Sequence, residues 1–196
     1  MRKQPRQERS RQMVERIVAA GREVLVERGY DGFSTNHVAT AAGISPGSLY
    51  QYFPNKAAIL DEVVDRYVAE SAEQVTSAMS DRITALGPDL VRDVADALVA
   101  VLEADRALLR VVAEELPLAR SRARLTALER QVREVSTAYL AARPDLHRRP
   151  PAAAAWVMVL AIENLAVRWV LDQPAAVSRD QLLDETVALV SGYLVS

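Results

Sequence analysis

Between Ser34 and Lys56 the chain reads STNHVATAAGISPGSLYQYFPNK, and this stretch holds its densest set of residues suited to recognition chemistry. Pro46, Gly47, Ser48, Tyr50, Gln51 and Tyr52 are small or hydrogen-bonding. Small residues at an exposed helix start let the backbone approach a polyanion, and the free N–H groups there can meet phosphate. Tyrosine hydroxyls reach phosphates, and glutamine can pair with an adenine edge in the major groove. Lys56, at the start of the following helix, can add a phosphate contact. The chemistry indicated is the reading of double-stranded DNA. The competing reading is a buried helical hairpin with tyrosines in its core. It does not explain why a glycine turn, two serine caps and a polar face coincide.

The elements that would position these side chains can be read from the spacing. Apolar residues recur at helical intervals nearly throughout, without sustained alternation, so the chain is expected to be all-α. A first helix is expected from Ser10 to Arg28, with Val14, Ile17, Val18, Gly21 and Leu25 facing inward and Gly29 as the residue after its end. Ser34 or Thr35 then caps a short helix to about Ala42. Gly43 ends it, and Ser45-Pro46 opens the next, which should run to about Phe53. Two short helices meeting across Ala42-Gly43-Ile44 are helix-turn-helix grammar, with Val38, Ala39, Ala42, Ile44 and Leu49 placed to pack them. Asn55 should cap a long helix that ends before Gly87-Pro88. Further helices are expected near 89–104, 106–115, 119–142, 152–172 and 179–194, separated by Pro117, Pro144, Pro150-Pro151 and Pro174.

Charge is divided along the chain. Residues 1–56 carry a net charge of +4 and the remainder −6, although the whole chain is only −2. A basic head on an acidic body is expected where one end meets a polyanion.

These residues resemble the N-terminal domain of TetR-family regulators. The likeness lies in Ser34-Thr35, Val38-Ala39, Ala42-Gly43-Ile44-Ser45, Ser48-Leu49-Tyr50, Tyr52-Phe53 and Lys56, with Ala19-Ala20 and Gly29-Tyr30 before them. It covers about residues 9–65. The resemblance implies that Thr35 and Asn36 contact DNA from the first short helix. It implies the same for Pro46, Gly47, Ser48, Tyr50, Gln51 and Tyr52 from the recognition helix, and for Lys56 from the helix after it. Pro46 departs from the family, which often carries a long polar residue there. The resemblance further implies two domains: residues 1–56, a three-helix DNA-binding domain with a basic N-terminal arm, and residues 57–196, a helical ligand-binding and dimerisation bundle. It implies a homodimer formed by the last two long helices, with Leu183, Val187 and Val190 as interface candidates, and a repressor that a small molecule releases from a pseudo-palindromic operator.

In the body, the helix expected near 152–172 is apolar nearly all round, with Trp156 and Leu160 among its large residues, yet it carries Glu163 and Asn164. A polar pair in a buried helix must be hydrogen-bonded. Either the pair orients an apolar effector, with Trp156, Leu160 and Tyr139 as further candidates, or it meets an internal partner such as Arg168 or a residue across the dimer. Glu114-Glu115 is a weaker pocket candidate. Arg120, Arg122, Arg124, Arg130 and Arg133 read as a solvated helix face, with Glu129–Arg133 and Arg130–Glu134 spaced for i,i+4 pairs.

Composition narrows the alternatives. No cysteine is present, which excludes disulfides, Cys-ligated metal and a thiol nucleophile, and agrees with a cytoplasmic location. The only histidines, His37 and His147, are far apart in sequence, and no phosphate loop or nucleophile elbow is present. No enzyme, metal or cofactor is expected. The start MRKQPRQERSRQ lacks an apolar run, so it is not read as a secretory signal. Residues 152–171 approach membrane length, but Glu163, Asn164 and Arg168 favour a helix inside a bundle, and no membrane partner is expected. A DNA-binding module without a small ligand shares every N-terminal feature, and ligand-induced release from DNA separates the two.

Overall fold

The computed structural model describes residues 4–83, 90–143, 145 and 149–195, with side chains at 4–6, 78–83 and 118–128 excepted. The expected break at Gly87-Pro88, Pro144, His147 and the side chains of Arg2, Lys3, Arg6, Arg120, Arg122 and Arg124 lie outside this description. The described residues form helices and connecting turns only. They are α1 (Gln4–Gly32), α2 (Thr35–Ala41), α3 (Pro46–Leu49), α4 (Lys56–Ile83), α5 (Leu90–Ala104), α6 (Arg106–Arg110), a π-helical turn (Val111–Glu115), α7 (Leu118–Ala142), α8 (Pro151–Asp172) and α9 (Arg179–Val195).

The chain divides into two compact units. One comprises Met1–Tyr67 with Ala107–Ser121; the other comprises Val68–Arg106 with Arg122–Ser196. The three divisions fall inside α4, α6 and α7 rather than at a linker, so the first unit takes in a segment distant in sequence from the rest of it.

The first unit is built on α1. Ile17, Val18, Gly21, Val24 and Leu25 are buried, with Val14 half-buried, as the apolar spacing predicts. They share the unit's core with Val38 and Ala39 of α2, Leu49 of α3, and Ile59, Leu60, Val63 and Val64 of α4. Each Val, Leu or Ile side chain among them stabilises the fold by roughly 1.5–3 kcal/mol on burial. Arg66 of α4 pairs with Glu15 of α1 and, at 2.9 Å, with Glu62. The hydrogen bond to Glu15 is the largest of the influences that raise the Arg66 pKa above its ordinary value.

Helical backbone is interrupted at Gly29, with φ 65° and ψ −177°, a region open essentially to glycine. The interruption stands where the sequence predicts the end of the first helix, although a further turn continues to Gly32. The segment after α6 departs from expectation in another way. Leu116 N donates to Val111 O (3.0 Å), a five-residue spacing that widens the helix into a π turn. Leu116 then turns extended, as a residue before proline prefers, and Pro117 follows. Leu108, Leu109, Val111, Val112 and Leu116 are buried.

In the second unit α5 packs against α8 and α9. Arg179 binds Asp96 (2.8 Å) and Glu103 (2.6 Å), and Arg92 pairs with Asp184 and with Asp180 (3.3 Å). Arg106 Nη2 donates to Leu171 O (2.9 Å), placing a cation at the C-terminal end of α8, where the helix dipole favours it. Leu140, Ala154 and Ala155 form a further cluster, with Tyr139, Met158, Tyr193 and Leu194 packed on it. By length and composition alone α8 could cross a membrane. It nevertheless carries Glu163 and an Arg168–Asp172 pair (2.8 Å), costly features in hydrocarbon.

Candidate nucleic-acid interface

The helix-turn-helix is assembled by caps and one turn. Ser34 Oγ accepts from His37 N (3.3 Å) to start α2, and Ser45 Oγ accepts from Ser48 N (3.1 Å) to start α3 with Pro46 at its first position. Between them Gly43 takes φ +63°, where a side chain is strained, and an added Cβ would lie 2.7 Å from Arg16 Nη2. Val38, Ala39, Ala42 and Leu49 are buried and Ile44 half-buried, so the expected packing set faces inward. Regular helix in α3 stops at Leu49 rather than near Phe53. A turn follows, in which Tyr52 N and Phe53 N both donate to Leu49 O (2.9 and 3.0 Å). Asn55 Oδ1 accepts from Ala58 N (2.9 Å), capping α4.

The residues expected to read DNA are distributed over this frame. Asn36, Pro46, Gly47, Tyr50, Gln51 and Lys56 are exposed, while Thr35, Ser48 and Tyr52 are half-buried. Two of them are tied together: Thr35 Oγ1 and the Tyr50 hydroxyl lie 3.2 Å apart, joining the start of α2 to the end of α3. Ser48 Oγ is hydrogen-bonded to Ser45 Oγ (2.9 Å), so it partly serves the cap. Lys56 Nζ lies 5.5 Å from the centroid of the Tyr30 ring and donates to Phe33 O at 3.5 Å. His37 Nδ1 donates to Gly32 O (3.0 Å), pinning the loop between α1 and α2. Sequence inspection gives that histidine no role, because a backbone acceptor has no sequence signature.

The body candidates separate. Glu163 is half-buried and its carboxyl is pushed up to about 7, chiefly by burial, then by Glu129, with Arg133 opposing. Arg133 and Glu129 form the expected pair, at 3.8 Å. Asn164 is exposed, which corrects its reading as half of a buried pair. Adjacent helical residues point about 100° apart, and here that step leaves Glu163 half-buried and Asn164 outside. Arg168, the internal partner considered for the pair, binds Asp172 instead. Trp156 is 54% exposed and so does not line the interior of its protomer. Leu160 is half-buried, and Tyr139 belongs to the Leu140–Ala154–Ala155 cluster. Glu114 and Glu115 are exposed, and the Glu115 carboxylate accepts from Tyr30 N (2.9 Å).

The interface candidates on α9 also need correction. Leu183 (3%) and Val190 (2%) are buried within the protomer, and Val187 is half-buried. Leu182, Leu183 and Val190 are thus taken up by the unit's own core. The large apolar residues left outside on α8 and α9 are Trp156, Leu165, Leu189 and Val195.

Comparison with known proteins extends over both units. Residues 17–63 match the family model of bacterial regulatory proteins of the tetR family, and residues 88–194 match that of the tetracyclin repressor-like C-terminal domain. The HTH-type transcriptional repressor DhaR of Mycobacterium sp. (strain GP1) is 29% identical over 65 residues, which is 33% of this chain and 33% of that protein. The chain thus spans 33% to 36% of the length of the curated relatives it matches. Among solved structures, a Mesorhizobium loti chain assigned to the TetR family superposes with a TM-score of 0.72 at 21% identity, covering 94% of this chain and 96% of its own. The regulator FadR of Bacillus subtilis, crystallised with stearoyl-CoA, does so with a TM-score of 0.68 at 18% identity, covering 90% and 97%. At these identities the structures establish a shared fold.

Proposed function

The chain belongs to the TetR family of bacterial regulatory proteins, and from that premise we propose that it is a cytoplasmic, homodimeric DNA-binding repressor without enzymatic activity. It binds a pseudo-palindromic operator and is released by an apolar small molecule. The observation that carries this reading is the surface around α3. Pro46, Gly47, Tyr50 and Gln51 stand exposed on a capped turn whose only buried residue is Leu49, with Asn36 and Lys56 exposed on the adjoining helices. Such side chains contribute nothing to a core, and their chemistry is that of phosphate and base-edge contacts.

The test is selection from a duplex library followed by salt titration on the recovered sequence. Affinity should fall steeply with salt, because phosphate contacts release counterions. Lys56→Ala should weaken binding to all duplexes and lower the salt slope by about one. Gln51→Ala should relax preference at particular base pairs, each worth roughly 1–3 kcal/mol. Equal losses for both variants on every sequence would make Gln51 a backbone contact. A complex insensitive to salt would overturn the DNA-binding reading itself.

The effector is inferred to be an apolar chain or ring system with a polar group. The similarly folded regulator crystallised with stearoyl-CoA supports this class. Glu163 is the residue proposed to orient the polar group, since it is half-buried and its carboxyl is pushed up to about 7 chiefly by that burial. A ligand weakens DNA binding only if it favours the DNA-incompetent arrangement, and a coupling of about 1–3 kcal/mol lowers affinity some 5–150-fold. Fatty acyl-CoA thioesters of graded chain length, titrated into the protein–duplex complex, test this directly. Absence of release at every length would remove acyl-CoA from the proposal.

A further inference from the structure

We propose that Glu115, in the π-helical turn, is a positioning residue for DNA binding that holds Lys56 at the nucleic-acid face by way of Tyr30. The inference rests on the reading of Lys56 as a phosphate contact, and its test separates the two.

The geometry forms a short chain of contacts inside the first unit. Glu115 Oε2 accepts from Tyr30 N at 2.9 Å across 85 residues of sequence. Its carboxylate sits where a side chain at Gly29 would be: a Cβ built there would lie 2.5 Å from the same oxygen. The glycine therefore opens the backbone to the carboxylate as well as supplying the positive φ. The bond needs only an acceptor oxygen at this place, which an amide also offers and alanine lacks. Glu115 thus fixes residue 30 just past the interruption in α1, where the helix no longer fixes it. Tyr30 in turn presents its ring to the Lys56 ammonium at 5.5 Å, a distance at which the ring face attracts a cation. Tyr30 O also accepts from Phe33 N (3.3 Å), and Phe33 O accepts from Lys56 Nζ (3.5 Å). The ammonium is thereby held between a ring and a carbonyl that share one anchor.

The π turn shapes this contact. One extra residue in the turn alters the direction in which side chains near its end project, so Glu115 is aimed by the local widening of the helix. A carboxylate placed near a DNA-binding surface opposes binding through its charge. The value of this one must therefore lie in the backbone it holds.

The experiment uses the full-length protein, the duplex recovered by selection with wild type, and an unrelated duplex of equal length, below the Tm of every variant. Glu115→Ala removes the acceptor. It should weaken binding to both duplexes by a few-fold to about tenfold and lower the salt slope by about one. Glu115→Gln keeps an acceptor oxygen and should bind as tightly as wild type, or more tightly once the repelling charge is gone. Tyr30→Leu keeps the backbone N–H but deletes the ring, and should reproduce the slope change. The double variant Glu115→Ala/Lys56→Ala should show the slope of Lys56→Ala alone. If Lys56→Ala lowers the slope but Glu115→Ala and Tyr30→Leu only lower Tm, the positioning role is overturned while the Lys56 contact stands. If Lys56→Ala leaves the slope unchanged, the Lys56 contact itself fails. A Glu115→Gln variant as weak as Glu115→Ala would also overturn the proposal.

Discussion

Leu189→Glu and Trp156→Glu are expected to abolish tight operator binding while leaving the protomer folded. Leu189 (53%) and Trp156 (54%) expose large apolar surfaces on α9 and α8, the helices proposed to meet their copies in a second protomer. A carboxylate placed there and then buried by a partner is strongly unfavourable unless paired, and a two-fold axis repeats the offence. In the proposed dimer each recognition turn reads one half-site, so losing the dimer converts a linked pair of contacts into two independent ones. The loss expected from unlinking two such contacts is about 10²–10⁴-fold in affinity. Sedimentation should show monomers, with helical content and cooperative melting retained. Leu183→Ala should behave in the opposite way. That side chain is 3% exposed within the protomer, so its truncation costs about 2–5 kcal/mol of folding stability. Intact dimers for both glutamate variants would place the interface on another face.

Glu163→Gln is expected to stabilise the protein increasingly as pH rises from 5 to 8. The folded-state pKa is raised from 4.5 to about 7, so in that window the folded form binds its proton more tightly than the unfolded chain does. Stability of the wild type therefore falls as pH rises through the window. The full cost, on the order of 3 kcal/mol for a shift of this size, is present above the folded-state pKa and vanishes below the unfolded-state value. Urea denaturation of both proteins across the range should show a difference that grows and then levels off. The same variant should blunt release from DNA by an acyl-CoA and leave ligand-free affinity near wild type. A stability difference independent of pH would mean that Glu163 is solvated, and the proposed orienting role would lose its basis.

The parts of this molecule legible in its sequence are those fixed by local chemistry. Ser34, Ser45 and Asn55 cap the helices they precede because their side chains reach backbone N–H groups three residues on. Gly29 and Gly43 stand at positive φ where the periodic pattern stops. The inward set Ile17, Val18, Leu25, Val38, Ala39 and Leu49 follows from helical period alone. What could not be read depends on contacts remote in sequence or on the direction of a side chain. The π turn at Val111–Glu115 has ordinary helix-forming residues, and the partner of Glu115 lies 85 positions away. Glu163 and Asn164 look like a pair in sequence, but a 100° step separates their directions. Leu183 and Leu189 both belong to an apolar stripe, and only the packing of α5 and α8 decides which is covered.

One further consequence follows from the brevity of α3. Its four residues and their flanks divide the labour unevenly: Leu49 anchors the turn from inside, Ser45 caps it from before, Ser48 is half-buried, and Pro46 and Gly47 are exposed with Gln51 just beyond. If the exposed positions read DNA as proposed, specificity and foldability are encoded at separate positions. On that reading, replacements at 46, 47 and 51 would alter which base pairs are preferred without touching the core, provided that 49 stays apolar and 45 keeps its cap. Duplicated copies of such a protein could drift to new operators in single steps, each intermediate remaining folded and bound to some DNA. A surface of this kind evolves by retargeting, without the rescue mutations that a buried recognition element would require.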